Sequence, residues 1–235
     1  MSDNTYGWIP RAMASLGVLW VLVALVNLTP LIDRYAVGRV LDVNVEGSAV
    51  VWASSVLLLG IGALAGLAAF IAGTGPARIR WTVVAGFFAL LSLDETASLH
   101  ELAGELASRI LKVGWLPSLY LWVIVVGPVA AVMALWMARW MRSELGPGSP
   151  AARLAVAAVS LWLLVPILEA ADPSLGGPRA LVVAEESLEV VGEILMLGSM
   201  ALHLRSRGLS IGSSHAAAKL TKVATGESGD AVSSG

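Results

Sequence analysis

Three stretches without a single Asp, Glu, Lys or Arg, residues 12–32, 47–77 and 113–138, constrain this chain more than any other feature. Each reaches the roughly 20 apolar residues that carry an α-helix across a bilayer. Hydrocarbon offers the backbone no water to bond with, so a helix that satisfies its own amides is the structure such runs predict. The whole chain agrees: 57% of its 235 residues are hydrophobic and 14% charged, against roughly 25% charged in soluble domains. Together with a mean hydropathy of +0.80, this excludes a water-soluble globule.

Three further apolar segments carry acids within them, and the six together predict an all-α polytopic membrane helix bundle. The expected transmembrane helices run at about 12–32, 49–73, 79–103, 116–141, 151–171 and 180–204. They form one domain over 1–207, followed by a Ser- and Gly-rich segment, 208–235, expected to be a disordered cytoplasmic tail. The first segment has a long apolar core and a single Arg before it, and is read as a retained helix rather than a cleaved signal peptide.

Cytoplasmic loops hold the excess of Lys and Arg. With both termini cytoplasmic, Arg11, Arg78, Arg80, Arg139, Arg142, Arg153, Arg205, Arg207, Lys219 and Lys222 fall inside. Only Arg34, Arg39, Arg109, Lys112 and Arg179 fall outside. Trp8, Trp81, Trp136 and Trp140 lie near the inner boundary and Trp52 and Trp115 near the outer one, as interfacial aromatics do. Trp20, Trp122 and Trp162 sit deeper, where they are expected to pack between helices. The expected location is the plasma (inner) membrane, with the lipid bilayer as the first partner.

Several function classes drop out. There are no cysteines, which removes thiolate metal sites, iron–sulfur clusters and cysteine nucleophiles. A net charge of −2 gives no sign of a nucleic-acid partner. No phosphate-binding glycine loop, HExxH or GxSxG pattern is present, so neither a cofactor-binding motif nor a catalytic set is assigned. Gly62 and Gly66 make a GxxxG spacing through which the second span can form a homo-oligomer.

The acids inside the spans are the informative residues. An ionisable group near the bilayer centre costs about 2.5–3.5 kcal/mol on insertion scales and points to function by default. At 1.5 Å per residue, Asp94 lies about 21 Å from Arg80 and Glu169 about 24 Å from Arg153. Glu189 and Glu193 lie about 24 and 18 Å from Arg205. Glu101, Glu185 and Glu186 come out nearer the outer surface, and Asn27 lands at a similar depth to Asp94 as a neutral ligand.

Helical geometry gathers them. Glu185, Glu186, Glu189 and Glu193 occupy an arc of about 100°, with Met196, Met200 and His203 continuing the stripe inward. In the third span Asp94, Ser98 and Glu101 share a face within about 60°, with Glu95 beside it. His100 points away unless that helix breaks. Ser92-x-x-Glu95 and Ser98-x-x-Glu101 both match the capping-box pattern that starts a helix. One alternative ends the third span near Leu91 and begins an interfacial helix carrying Leu99, Leu102, Leu106 and Ile110. Pro166, three residues before Glu169, frees a backbone carbonyl and kinks the fifth span.

Eight negative charges without an intramembrane Lys or Arg cannot all stand ionised and unpaired in low dielectric. Bound cations or protons must neutralise them. Oxygen-only ligands suit a divalent metal such as Ca²⁺, Mg²⁺ or Mn²⁺, with Fe favoured only if His100 joins. The expected ligands are Asp94, Glu101, Glu169, Glu186, Glu189 and Glu193, supplemented by Glu95, His100, Glu185 and Asn27. The expected function is cation binding or transport at a carboxylate-rich cation or proton site in the outer half. Two alternatives stand beside it: a metal- or acid-dependent membrane enzyme acting on a lipid or isoprenoid, and a structural or assembly subunit. Asp33, Asp42, Glu46 and Asp172 are expected in solvated loops, and Glu105 paired with Arg109 on a wet helix face.

Overall fold

Each long apolar run forms a helix whose outward side chains stay apolar, an arrangement stable only where the surroundings are hydrocarbon. Val18, Leu19, Val21, Leu22 and Leu25 of the first helix, and Val129, Val132 and Leu135 of a later one, are all exposed. The structure, a computed structural model, describes residues 7–34, 36–45, 47–111, 118–175 and 177–208. Within them the order is α1 (Trp8–Asn27), α2 (Leu31–Arg34), α3 (Ala36–Leu41), α4 (Ala49–Ile71), α5 (Pro76–Ala97), α6 (Leu99–Leu111), α7 (Ser118–Val125), α8 (Gly127–Glu144), α9 (Pro150–Trp162), α10 (Val165–Leu175) and α11 (Arg179–Ser206). The described residues contain no strand. The tail lies outside them except for Gly208, as do Glu46 and the side chains of Asp33 and Asp172.

Four helical stretches are long and apolar enough to cross a membrane: Trp8–Asn27, Ala49–Ile71, Pro76–Ala97 and Pro150–Ala171, the last running through α9 into α10. They mark a multi-pass membrane protein. The other two expected spans fall short for local reasons. Helix α11 has ample length at 28 residues, but its glutamates lower its apolarity. The stretch about 116–141 is divided into α7 and α8 around Val126, just before Pro128.

Two further expected helices are also interrupted. The segment 79–103 is not continuous: α5 ends at Ala97, and Ser98 turns left-handed with φ 46° before α6 begins. This break falls six residues beyond the alternative end at Leu91, so α5 keeps a spanning length of 22 residues. Ser98 does not adopt the extended backbone of a capping-box serine. The Asp94 carboxylate takes over that function, accepting the His100 N–H at 2.8 Å. The segment 151–171 divides at Leu163 and Leu164, immediately before Pro166, whose missing N–H cannot continue the ladder.

The half of the bundle holding Arg78, Glu144 and Arg207 is densely packed. Ser149 caps α9 there, accepting from Ala152 N at 3.0 Å, while at the opposite end Ser48 caps α4, accepting from Val51 N at 3.2 Å. Ser199 donates to the Ala151 carbonyl at 2.8 Å, joining α11 to α9. Trp81, Met137, Met141, Ala155, Met196 and Met200 are all buried there. Small residues set the helix spacing. A Cβ on Gly62 would lie 3.2 Å from the Ala85 carbonyl of α5, and one on Gly198 would lie 2.3 Å from the Met13 sulfur of α1. Gly62 thus serves the α4–α5 contact within the chain, whereas no atom lies within 4 Å of a Cβ placed on Gly66.

Candidate functional site: a carboxylate-lined cavity

In the opposite half of the bundle, beyond Phe88 and Trp162, the helices part around a cavity of about 460 Å³. Polar side chains from apolar helices build its wall. Ser55 and Ser92 tie α4 to α5 reciprocally, each hydroxyl donating to the other's backbone carbonyl, at 2.8 and 2.9 Å. This positions neighbouring Ser54 toward α11, where its hydroxyl donates to Glu193 Oε1 at 2.6 Å. Gly192 lets the Trp162 indole of α9 sit against α11, since a Cβ there would lie 2.5 Å from Trp162 Nε1. That nitrogen donates to the Glu189 carbonyl at 3.1 Å.

Asp94, Glu95, Glu101, Glu169, Glu185, Glu186, Glu189 and Glu193 line this cavity together with His100, and among the described residues no Lys or Arg joins them. Nine of the ten residues singled out from the sequence therefore share one wall. Asn27 does not. Its amide donates to the carbonyls of Val23 at 3.0 Å and Leu41 at 2.8 Å, and its Oδ1 accepts from Val43 N at 3.1 Å and from Arg179 at 3.1 Å. All of these bonds go to the chain itself, because Asn27 organises the α3–α4 connection.

Asp42 is likewise not a solvated loop residue. It is buried, with Oδ1 accepting from Arg179 at 2.7 Å, so this acid is neutralised within the chain. Backbone helix continues through position 172 to Leu175, where the sequence suggested a loop. Glu105 and Arg109 do form the expected exposed i,i+4 pair at 3.3 Å.

The cavity wall has two electrostatic regions. On one side the acids have neutralising or donating partners. His100 faces Asp94 Oδ2 at 3.1 Å through Nδ1, and its ring meets Trp122 edge-on at 5.1 Å between centroids. The Trp122 indole N–H donates to Glu169. His100 lies in α6, beyond the end of α5. Burial works against its protonation, but the hydrogen bond and charge of Asp94, with the charges of Glu169 and Glu101, outweigh burial and raise its pKa.

On the other side Glu95, Glu186, Glu189 and Glu193 act on one another as like charges. Glu193 is 2% exposed, and its Oε2 has no hydrogen-bond partner. An unsatisfied buried carboxylate oxygen is costly and marks a place where a donor or cation belongs. Among the described residues, no three His, Asp or Glu side chains converge closely enough to cage one metal ion. The acids instead stand around a space with room for several waters, since one water needs roughly 10–15 Å³ by a comparable measure.

Sequence reasoning did not single out Ser54 or give Trp122 and Trp162 a place in the site. The signals were faint: a Ser-Ser pair in an otherwise apolar helix, and two tryptophans away from the interfaces. At the far end of the acidic stripe, Met196 and Met200 are fully buried, and His203 stacks on Trp81 at 5.1 Å. His203 lines a separate small cavity with Glu144 and Arg207. The methionines separate it from the acids.

A family model described as a domain of unknown function (DUF8692) matches residues 12–204, a span containing every cavity-lining residue. No curated protein and no solved structure matches the chain.

Proposed function

We propose, for a chain that belongs to the DUF8692 family, that this protein binds a cation in the carboxylate-lined cavity in exchange for protons, and carries it across the inner membrane. The observation carrying this reading is that eight carboxylates share one cavity to which no Lys or Arg of the described residues contributes. His100 answers Asp94, and the crowded glutamates beyond it call for protons or a cation. Cation binding to carboxylates releases protons, so affinity falls as the pH falls. Because the acids surround a roomy space, the cation enters hydrated or with organic substituents.

The supporting topology has six spans and cytoplasmic termini, with the cavity in the outer half. The ten-to-five division of Lys and Arg supports it. The absence of cysteine makes it directly testable. Gly146→Cys is expected to react with an impermeant maleimide only from the cytoplasmic side, and Gly177→Cys only from outside. The opposite pattern at either site overturns the topology.

The test of binding is a Mn²⁺ titration of nanodisc-reconstituted protein followed by electron paramagnetic resonance. Saturable binding that weakens at least tenfold in Glu189→Gln supports the reading. Equal binding in parent and variant overturns the assignment of Glu189, and no saturable uptake by the parent counts against a divalent ion. The apolar wall of the cavity favours the enzyme reading as runner-up, which requires chemical turnover of a lipid or isoprenoid.

A further inference from the structure

The cavity is much larger than a bare ion requires, and only part of its wall is acidic. At about 460 Å³ it falls within the roughly 300–1,000 Å³ range of small-molecule sites. Below the glutamates its lining becomes apolar, with Leu58, Leu91, Ala130, Ala134, Met137 and Leu163 contributing. Phe87, Trp122 and Trp162 also line it. Aromatic faces attract organic cations, most strongly where water is excluded.

Three observations restrict the occupant. No three acids are preassembled around a point charge. Glu193 Oε2 is buried without a hydrogen-bond donor. Among the described residues no Lys or Arg lines the wall, and its basic side chain, His100, is engaged by Asp94. A hydrated metal ion answers the charge but leaves the apolar section unused. A neutral lipid fills the apolar section but leaves the charge unanswered.

We infer that the cavity binds an amphiphilic organic ammonium ion, its N–H group donating to Glu193 and its apolar body lying along α8 against Ala130, Ala134 and Met137. This deepens the cation reading and rests on it. An ammonium carrying N–H bonds satisfies the unpartnered oxygen, which a quaternary ammonium cannot do. The remaining glutamates stay wet or protonated around the headgroup.

Calorimetric titration of the protein in nanodiscs, with empty nanodiscs as the blank, separates the possibilities using four probes. These are phenethylammonium, its N,N,N-trimethyl analogue, neutral phenethyl alcohol, and Mn²⁺. The expected result is saturable phenethylammonium binding, at least tenfold weaker for the trimethyl analogue and undetectable for the alcohol. Glu193→Gln should weaken the ammonium at least tenfold. Ala134→Phe, which fills the apolar section, should do the same while leaving any Mn²⁺ affinity unchanged. Ala134→Leu replaces it if the larger side chain prevents folding.

Mn²⁺ binding without phenethylammonium binding overturns this inference and leaves the cation reading standing. Binding of neither cation overturns both. Ammonium binding indifferent to substitution at Ala134 also overturns the inference, because it places the ligand away from the apolar wall.

Discussion

One helix, α11, passes through two environments that differ in almost everything except backbone geometry. From Glu185 to Glu193 it faces a cavity, and its acids meet other acids. From Met196 to Met200 it faces a packed core, where both methionines are buried and Ser199 bonds to the α9 backbone. Both halves follow the same stripe of side chains. The boundary is set across the bundle by Gly192, which admits Trp162, and by the aromatic layer of Phe88 and Trp162, whose centroids lie 5.7 Å apart. Helix periodicity thus says which side chains share a face, while the neighbouring helices decide whether that face is packed or hollow.

The contrast is most sharply broken by paired truncations. Met200→Ala should destabilise the protein by about 2–5 kcal/mol, because the rigid core cannot collapse around the lost volume. Glu189→Gln, only a few turns away, should leave stability unchanged or raise it, since a neutral amide replaces an acid that must otherwise take up a proton or a cation among its like neighbours. Thermal unfolding in a fixed detergent checks both, and equal losses would erase the distinction between the halves. Next in size, Gly192→Ala should cost about 1–3 kcal/mol by overpacking, and should shift Trp162 fluorescence because the indole must move. An unchanged spectrum and melting temperature would remove Gly192 from the boundary.

Smaller effects sharpen the same comparison. Ser199→Ala should cost about 0.6 kcal/mol, the average for an interhelical hydrogen bond in a membrane, without altering cation binding. A change in binding would mean that the core half takes part in the site.

The His100–Asp94 pair should give the mildest signal. The folded pKa of His100 is raised, so the pair's contribution is complete below the ordinary imidazole range and disappears as the pH rises through the raised value. Because the His100 ring touches Trp122, a pH-dependent fluorescence component should be present in the parent and lost in His100→Gln. Its persistence in the variant would assign the titration to another group.

The acids of α11 were legible in the sequence because a regular helix converts spacing into direction, and counting from boundary arginines converts position into depth. The apolar helices were legible from length alone. His100 was legible only on the condition that the third span breaks, because its place depends on Ser98 turning left-handed, a conformation stabilised by the Asp94 carboxylate gripping the next helix from a turn before the break. Asn27 shows the converse. Depth matched it to the acids, but its amide is committed to Leu41, Val43 and Arg179, contacts far away in sequence. Ser54 became visible only when α4 and α11 were brought together at Glu193.

The central claim is that the carboxylates of this cavity exchange protons for a cation. Infrared difference spectroscopy of the reconstituted protein, recorded before and after addition of Mn²⁺ or phenethylammonium, tests it most directly. The parent should lose intensity in the protonated carboxyl C=O band and gain it in the carboxylate bands, and a Glu189→Gln, Glu193→Gln double variant should show neither change. A parent spectrum that stays flat in both regions with either cation, from protein that remains folded, would contradict the account.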